Sequence, residues 1–453
     1  MSKPFSFLPL TAVMLIVVAL SFSQATSADT RTQQLEDLEI ARREYVMASL
    51  AFSPEGRRNA LAVIDQAKAQ AGTLSNEAFM IAALRITAFA GNAHDCFNTS
   101  ADSWFPATRL PLRMIWFADA MVIARAAPEH AELVGARVTA IDGKTPAQLL
   151  PRLRPLWGGT DDYLRWNAMW FIEFGGMLHA LAVARSPAAL TLDLELTDGR
   201  RVRRRMPFVA STSVPDGIGA VRLWSAELSP VEREQGWRAA TDARAEPLAL
   251  QQGGDYFRMA PLPEFDAQYV QFRANSTADA HGMEIAPFVQ RVREALRAAP
   301  PRNLVLDLRF DIGGDIGQTR DLIRDLAGMT PGHIHVLIGP YTFSAGIVSA
   351  AAMKHDGGAR VTVVGEDVGD RLRFWSEGEN ACLPNSRYCL RVTNGLWDLT
   401  RGCAQHAGCY GDAFDARVDS LAPLRAAFTA DAWLKHRDPA MEVVRQHYAS
   451  INK

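Results

Sequence analysis

Ser344 lies in the stretch 340–346, where an apolar strand-like run (333–339) gives way to an Ala-rich helical run, Ile347 to Met353. A hydroxyl at such a junction sits beside a helix N-terminus. There the unpaired N–H groups and the helix dipole favour developing negative charge. Upstream, Gly313 and Gly314 follow another buried-strand signal, 303–309, and two adjacent glycines let the backbone turn sharply and offer N–H groups to a ligand. A serine needs a base to take its proton. One histidine is presented on a turn after a helix, His94 in the stretch 89–97. Taken alone, a loop histidine is more often a surface residue than a catalytic one.

The elements that must hold these groups alternate. Strand 303–309 leads to a helical segment, Ile316 to Leu326. Strand 333–339 leads to the helix after Ser344, and a third strand, Arg360 to Val364, ends at Gly365 and Glu366. Alternating strands and helices predict a parallel α/β layer. Strands are also expected at 257–261 and 269–273, and an amphipathic helix from Glu284 to Ala299 carries Ile285, Phe288, Val289, Val292 and Leu296 on one face.

Four pieces in this order resemble the core of the S41 peptidases, the C-terminal processing and tricorn-like protease family: Val305 to Arg309, Gly313-Gly314, Thr342 to Ala345, and Val364 to Glu366. Two later segments are similar to that family as well, 383–386 (Leu-Pro-Asn-Ser) and Arg437-Asp438-Pro439. The resemblance implies that Ser344 is the nucleophile and that the N–H groups of Gly314 and Ala345 form the oxyanion hole. It also implies a Ser-His mechanism with His94 as general base, because tricorn-like members carry a Gly-Asn/Asp-x-His turn at that point. Asp95 departs from their small hydroxyl residue and is a carboxylate that could act on the ring.

The lysine branch of the family places a lysine about twenty-five residues after the serine, where this chain has Glu366 to Asp370 and no lysine. Lys354 is ten residues along the helix, a rise of about 15 Å, too far to reach Ser344. A histidine base needs a partner to fix its tautomer. Candidates are Glu366, Glu377, Asp370 and Asp398, with Glu377 ranked first and Glu366 second. The family's later glutamate is missing, since residues 380–441 contain none. No metal or organic cofactor is implied.

The chain has 453 residues, 48% of them hydrophobic and 22% charged, which predicts a folded protein of two or three domains. A formal net charge of -2 gives no sign of a nucleic-acid partner. Lys3, the apolar run Leu8 to Phe22 and small residues around Ala25 and Ala28 read as a signal peptide, residues 1–28. That run is short of the ~20 residues a spanning helix needs, and no later stretch spans, so no stable membrane insertion is expected after cleavage. Cys382, Cys389, Cys403 and Cys409 cluster, with Cys96 apart; two local pairs, Cys382–Cys389 and Cys403–Cys409, would suit an exported, periplasmic or secreted, protein, although spacing does not fix the connectivity. No CxxC occurs and His406 is the only histidine near them in sequence, which disfavours zinc there.

A helical N-terminal domain is expected over 29–105, with helices broken around 52–56 and ending near Gly91. Strands at 110–116 and 120–125, an Asp142-Gly143 turn and a helix from Pro146 to Leu153 resemble a PDZ-like domain over 106–210, a module that binds extended peptides by strand addition. One further helix is read from Leu164 to Val183. Residues 211–260 read as a connector and 261–453 as the S41-like catalytic domain. The expected fold class is α/β and multidomain, with a stacked ααβ core of the ClpP/crotonase kind. The expected function is an exported serine endopeptidase acting on peptide or protein substrates. The alternatives are a non-catalytic peptide or apolar-ligand binding protein on the same fold, or an esterase.

Overall fold

Alternation within the apolar runs decides how the central sheet is covered. The computed structural model describes residues 29–99, 103–104, 106–215, 220–279 and 281–451; the expected signal peptide lies outside them. Six strands form the sheet: β1 (Phe257–Leu262), β2 (Ala267–Phe272), β3 (Asn303–Asp307), β4 (Ile334–Ile338), β5 (Val361–Gly365) and β6 (Leu424–Arg425). β1 pairs antiparallel with β2, and all other neighbours are parallel. Both faces are buried, as parallel sheets require. Leu304, Leu306 and Val336 point into a core shared with α1 (Ile285–Ala298), α2 (Arg320–Met329) and α3 (Ala345–Gly357). Val305, Leu337 and Val364 point the other way, under α4 (Pro439–Ile451). The period of two along each strand thus feeds two separate cores.

The first residue of α4 follows Asp438, whose carboxylate takes both ends of the Arg309 fork at 2.7 and 2.9 Å. Arg309 also clasps Asp307, which in turn accepts from the Tyr269 hydroxyl at 2.7 Å. Burial alone would raise the Asp307 carboxyl; the Arg309 guanidinium overrides it and holds the group below its ordinary value. Removing the cation leaves two buried carboxylates facing each other. Arg309→Ala is therefore expected to cost about 3–5 kcal/mol of stability, read as a lower urea midpoint with unchanged slope. An unshifted midpoint would show that the clasp contributes nothing.

Toward the N-terminus, helices Pro54–Ala69 and Asn76–Ala88 start on Ser53 and Ser75, whose hydroxyls accept from Gly56 and Ala78 N–H. An antiparallel sheet follows, built from Leu112–Trp116, Met121–Ala126, Arg137–Ile141, Ala189–Glu195 and Arg201–Pro207, with the expected helix Pro146–Leu153. The single helix read over 164–183 is instead three short ones, Asp161–Asn167, Met169–Ile172 and Gly175–Ala180. The break at Phe174, which is extended, lets Glu173 turn inward to Arg109 and Arg113. The helices, this sheet and the Cys382–Cys389 hairpin share one core, through Phe79, Leu110, Phe174 and Tyr388.

The stretch read as a connector carries more packing than its composition suggests. Trp224 lies edge-on to Phe117, Phe310, Tyr341 and Phe428, and its carbonyl accepts from Trp433 Nε1 at 2.9 Å. Fully buried Arg125 pairs with Glu232 of the same stretch. This cluster joins the antiparallel sheet to the loops at the C-terminal ends of β3 and β4. The overall arrangement is multidomain α/β.

Candidate active site

Ser344 is the residue before α3, at φ 54° and ψ −124°. That left-handed backbone is costly for a residue with a side chain and persists only where neighbours impose it. Gly313 is one of those neighbours: a Cβ there would lie 2.4 Å from Ser344 Cβ. The loop is held from below by Asp311, whose backbone oxygen accepts from Phe343 N–H at 2.9 Å and whose carboxylate accepts from Gly313 N–H at 3.0 Å. Burial pushes the Asp311 carboxyl up toward about 7, opposed by that amide. With its NH2 turned toward Asp311, Asn275 adds two donors at 2.9 and 3.0 Å. The turn is thereby fixed on both sides of the serine.

The Ser344 hydroxyl does not cap α3. It is half-buried and faces a cavity of about 410 Å³ lined also by Gly314, Ala345, Phe374 and Glu377. Gly314, at φ 135°, is pinned against Asn275, where a Cβ would lie 2.3 Å from the Asn275 oxygen. The N–H groups of Gly314 and Ala345 have no protein acceptor among the described residues. Two unpaired donors and a strained hydroxyl thus share one cavity at a helix N-terminus, the setting for oxyanion stabilisation.

His94 is brought to this neighbourhood by contacts with segments far along the chain, 277 residues away at Asp370 and 283 at Trp375. Asn92 grips the Trp375 backbone with both amide atoms, at 2.8 and 3.1 Å. Asp370 accepts from Ala93 N–H at 3.2 Å, and Phe97 pairs with Leu390 in a short strand. The imidazole stacks on Phe343, next to the serine, at 4.2 Å between centroids, and on Phe374, which lines the serine's cavity, at 5.1 Å. Both ring nitrogens are buried and lack a hydrogen-bond partner, so His94 is not bonded to Ser344. A buried unsatisfied imidazole is expensive, and groups of this kind concentrate where a ligand or a reaction uses them.

The carboxylates separate clearly. Asp370 Oδ2 lies 3.8 Å from His94 Nδ1, with the two side chains 1% and 12% exposed, and Asp370 Oδ1 accepts from Arg371 N–H at 2.8 Å. Glu377 sits across the serine's cavity at φ 51°; its carboxylate accepts from Ser376 Oγ at 2.9 Å and faces Trp397 Nε1 at 3.4 Å. Glu366 belongs to a different, smaller cavity with Arg309 and Tyr341, accepts from Phe428 N–H, and is raised by burial. Asp398 closes its own turn on Thr400 and Arg401. Asp95 anchors the turn by accepting from Tyr45, Ser49, Asn92 and Thr393. Phe343 and Phe374 escape a sequence reading because ring stacking on a distant histidine leaves no local pattern.

Cys382–Cys389 and Cys403–Cys409 are bonded, which settles the connectivity that spacing left open. Cys96 is free, and burial pushes its thiol up to about 11.

No protein-family model matches the chain, and no curated protein matches it. Solved structures do. Mature CPAF complexed with lactacystin is similar at a TM-score of 0.55 and 13% identity, covering 93% of this chain and 98% of that one. A CPAF serine-to-alanine mutant is similar at a TM-score of 0.57 and 11% identity, over 92% and 97%. At such identities the likeness is one of fold, and it runs nearly end to end.

Proposed function

We propose that the chain is an exported serine peptidase of the S41 family, with Ser344 as nucleophile, His94 as general base and Asp370 as the carboxylate that orients His94. One observation carries this reading: a strained serine hydroxyl, not used as a cap, faces a cavity together with two unpaired backbone N–H groups. In the reaction Ser344 Oγ attacks a peptide carbonyl carbon while His94 takes the hydroxyl proton. The N–H groups of Gly314 and Ala345 receive the oxyanion. His94 then returns the proton to the leaving amine, and water releases the acyl group by the same steps in reverse order.

The imidazole must shift to bond the hydroxyl, since neither ring nitrogen has a hydrogen-bond partner. Catalytic hydrogen bonds are often open without substrate and tighten on binding. Asp370 is preferred over Glu377 and Glu366 because it alone of the three lies beside a His94 nitrogen. Glu377 is better placed to meet substrate. The antiparallel sheet over 106–210 would serve as the PDZ-like module, and 261–453 as the catalytic domain. Two disulfides, and no helix among the described residues long and apolar enough to cross a membrane, fit an exported protein.

The open His94–Ser344 contact favours a second reading, a non-catalytic binder on the same fold. A fluorophosphonate probe decides between them. Labelling at Ser344 that disappears in Ser344→Ala and His94→Ala is expected; absence of labelling in folded protein favours the binder. Ester hydrolysis without cleavage of casein would point to an esterase.

A further inference from the structure

On the far side of the central sheet from α1–α3, three histidines meet. His333 and His335 flank one residue of the β4 segment, so their side chains leave the same face of the sheet. α4 covers that face and contributes His447. Ring centroids lie 4.8 Å apart for His333 and His335, 4.5 Å for His333 and His447, and 5.0 Å for His335 and His447. One nitrogen from each ring lies within 4.8 Å of the others. His335 is fully buried, while His333 and His447 are half-buried and give access from solvent.

We propose that His333, His335 and His447 form a zinc site that fastens α4 to the central sheet. Three neutral imidazoles and one solvent position make a four-coordinate set that zinc accepts. His335 Nε2 and His447 Nδ1 are 2.8 Å apart and share a proton. Zinc–nitrogen bonds of about 2.0–2.1 Å in a tetrahedron place nitrogens roughly 3.3 Å apart, so exchanging that proton for the ion opens the pair by only about 0.5 Å. His333 Nε2 is tied to Thr362 Oγ1 at 2.9 Å, the kind of outer hydrogen bond that orients a ligating ring. The group holds no carboxylate, and the cation acting on it, Lys354, is occupied by the Val361 carbonyl at 2.9 Å. The consequence is structural rather than catalytic: α4 begins beside Asp438, so an ion at its far end would tether the helix that holds Arg309.

The test uses the whole chain, stripped of metal and titrated with Zn²⁺ and Co²⁺. Expected results are one zinc retained per chain, a visible d–d absorption of tetrahedral cobalt, and a rise in melting temperature with zinc. His447→Gln and His333→Gln, both at half-buried positions, should weaken binding by at least the ~100-fold that marks the upper end of losses from outer-shell changes. His281→Gln, in the separate Asp255–Asp279–His281 group, should bind as the parent does. No zinc retention and no melting shift would overturn the proposal, as would undiminished binding in His447→Gln. Loss confined to His281→Gln would also overturn it by moving the ion elsewhere. None of these readouts depends on hydrolysis, so failure here leaves the Ser344 assignment standing.

Discussion

Replacing Ser344 with alanine is expected to lower kcat/KM by on the order of a millionfold, about 8 kcal/mol of transition-state stabilisation. The reason is local. Removing Oγ deletes the only atom that would form the acyl bond, yet it removes no helix cap, because the hydroxyl does not serve as one. The variant should fold with an unchanged melting temperature. His94→Ala should cost nearly as much, and the double variant little more than either single, since a nucleophile and its base act as one unit. The measurement is steady-state hydrolysis of a fluorogenic peptide library alongside thermal denaturation. Additive losses, or residual activity within tenfold of the parent, would remove both residues from the chemistry.

Asp370→Asn should reduce kcat by about a thousand- to ten-thousandfold with little change in KM. The amide keeps the shape, but its single oxygen accepts from Ala93 N–H or from Arg371 N–H and not from both, so an unchanged melting temperature is the check that the turn carrying His94 stays docked. What is lost is the negative charge beside His94 Nδ1, which selects the tautomer and stabilises the imidazolium. Glu366→Gln, in another cavity, should leave kcat within a few-fold of the parent; Glu377→Gln, which faces the substrate's side of the cavity, should act mainly on KM. If Glu377→Gln caused the larger loss of kcat and Asp370→Asn the smaller, the carboxylate assignment would pass to Glu377.

Sequence reading succeeds here where the physics is local. The apolar runs at 303–309 and 333–339 contain strands β3 and β4, because buried strands need consecutive apolar residues. The glycine pair and the serine are found at the turns where they were expected. The two local cysteine pairs, 7 and 6 positions apart, are bonded as suggested, although spacing alone left the connectivity open. Reading fails where a partner comes from far along the chain. Residues 211–260 look like a connector because Pro, Gly and charge dominate them, although Trp224 meets rings from four other segments. Helix 164–183 is broken at a charged residue that finds its guanidinium partners more than fifty residues upstream.

The sequence by itself determined that a serine would stand at one strand-to-helix turn, a glycine pair at another, and a histidine on a turn in the N-terminal part. Those are short-range consequences of periodicity and backbone freedom. Only the tertiary structure decided which carboxylate lies beside the histidine, because that choice depends on Asn92 and Asp370 docking two turns that are 277 to 283 residues apart. It also decided that the imidazole rests on Phe343 rather than on the hydroxyl, a matter of side-chain packing between segments that no spacing along the chain encodes.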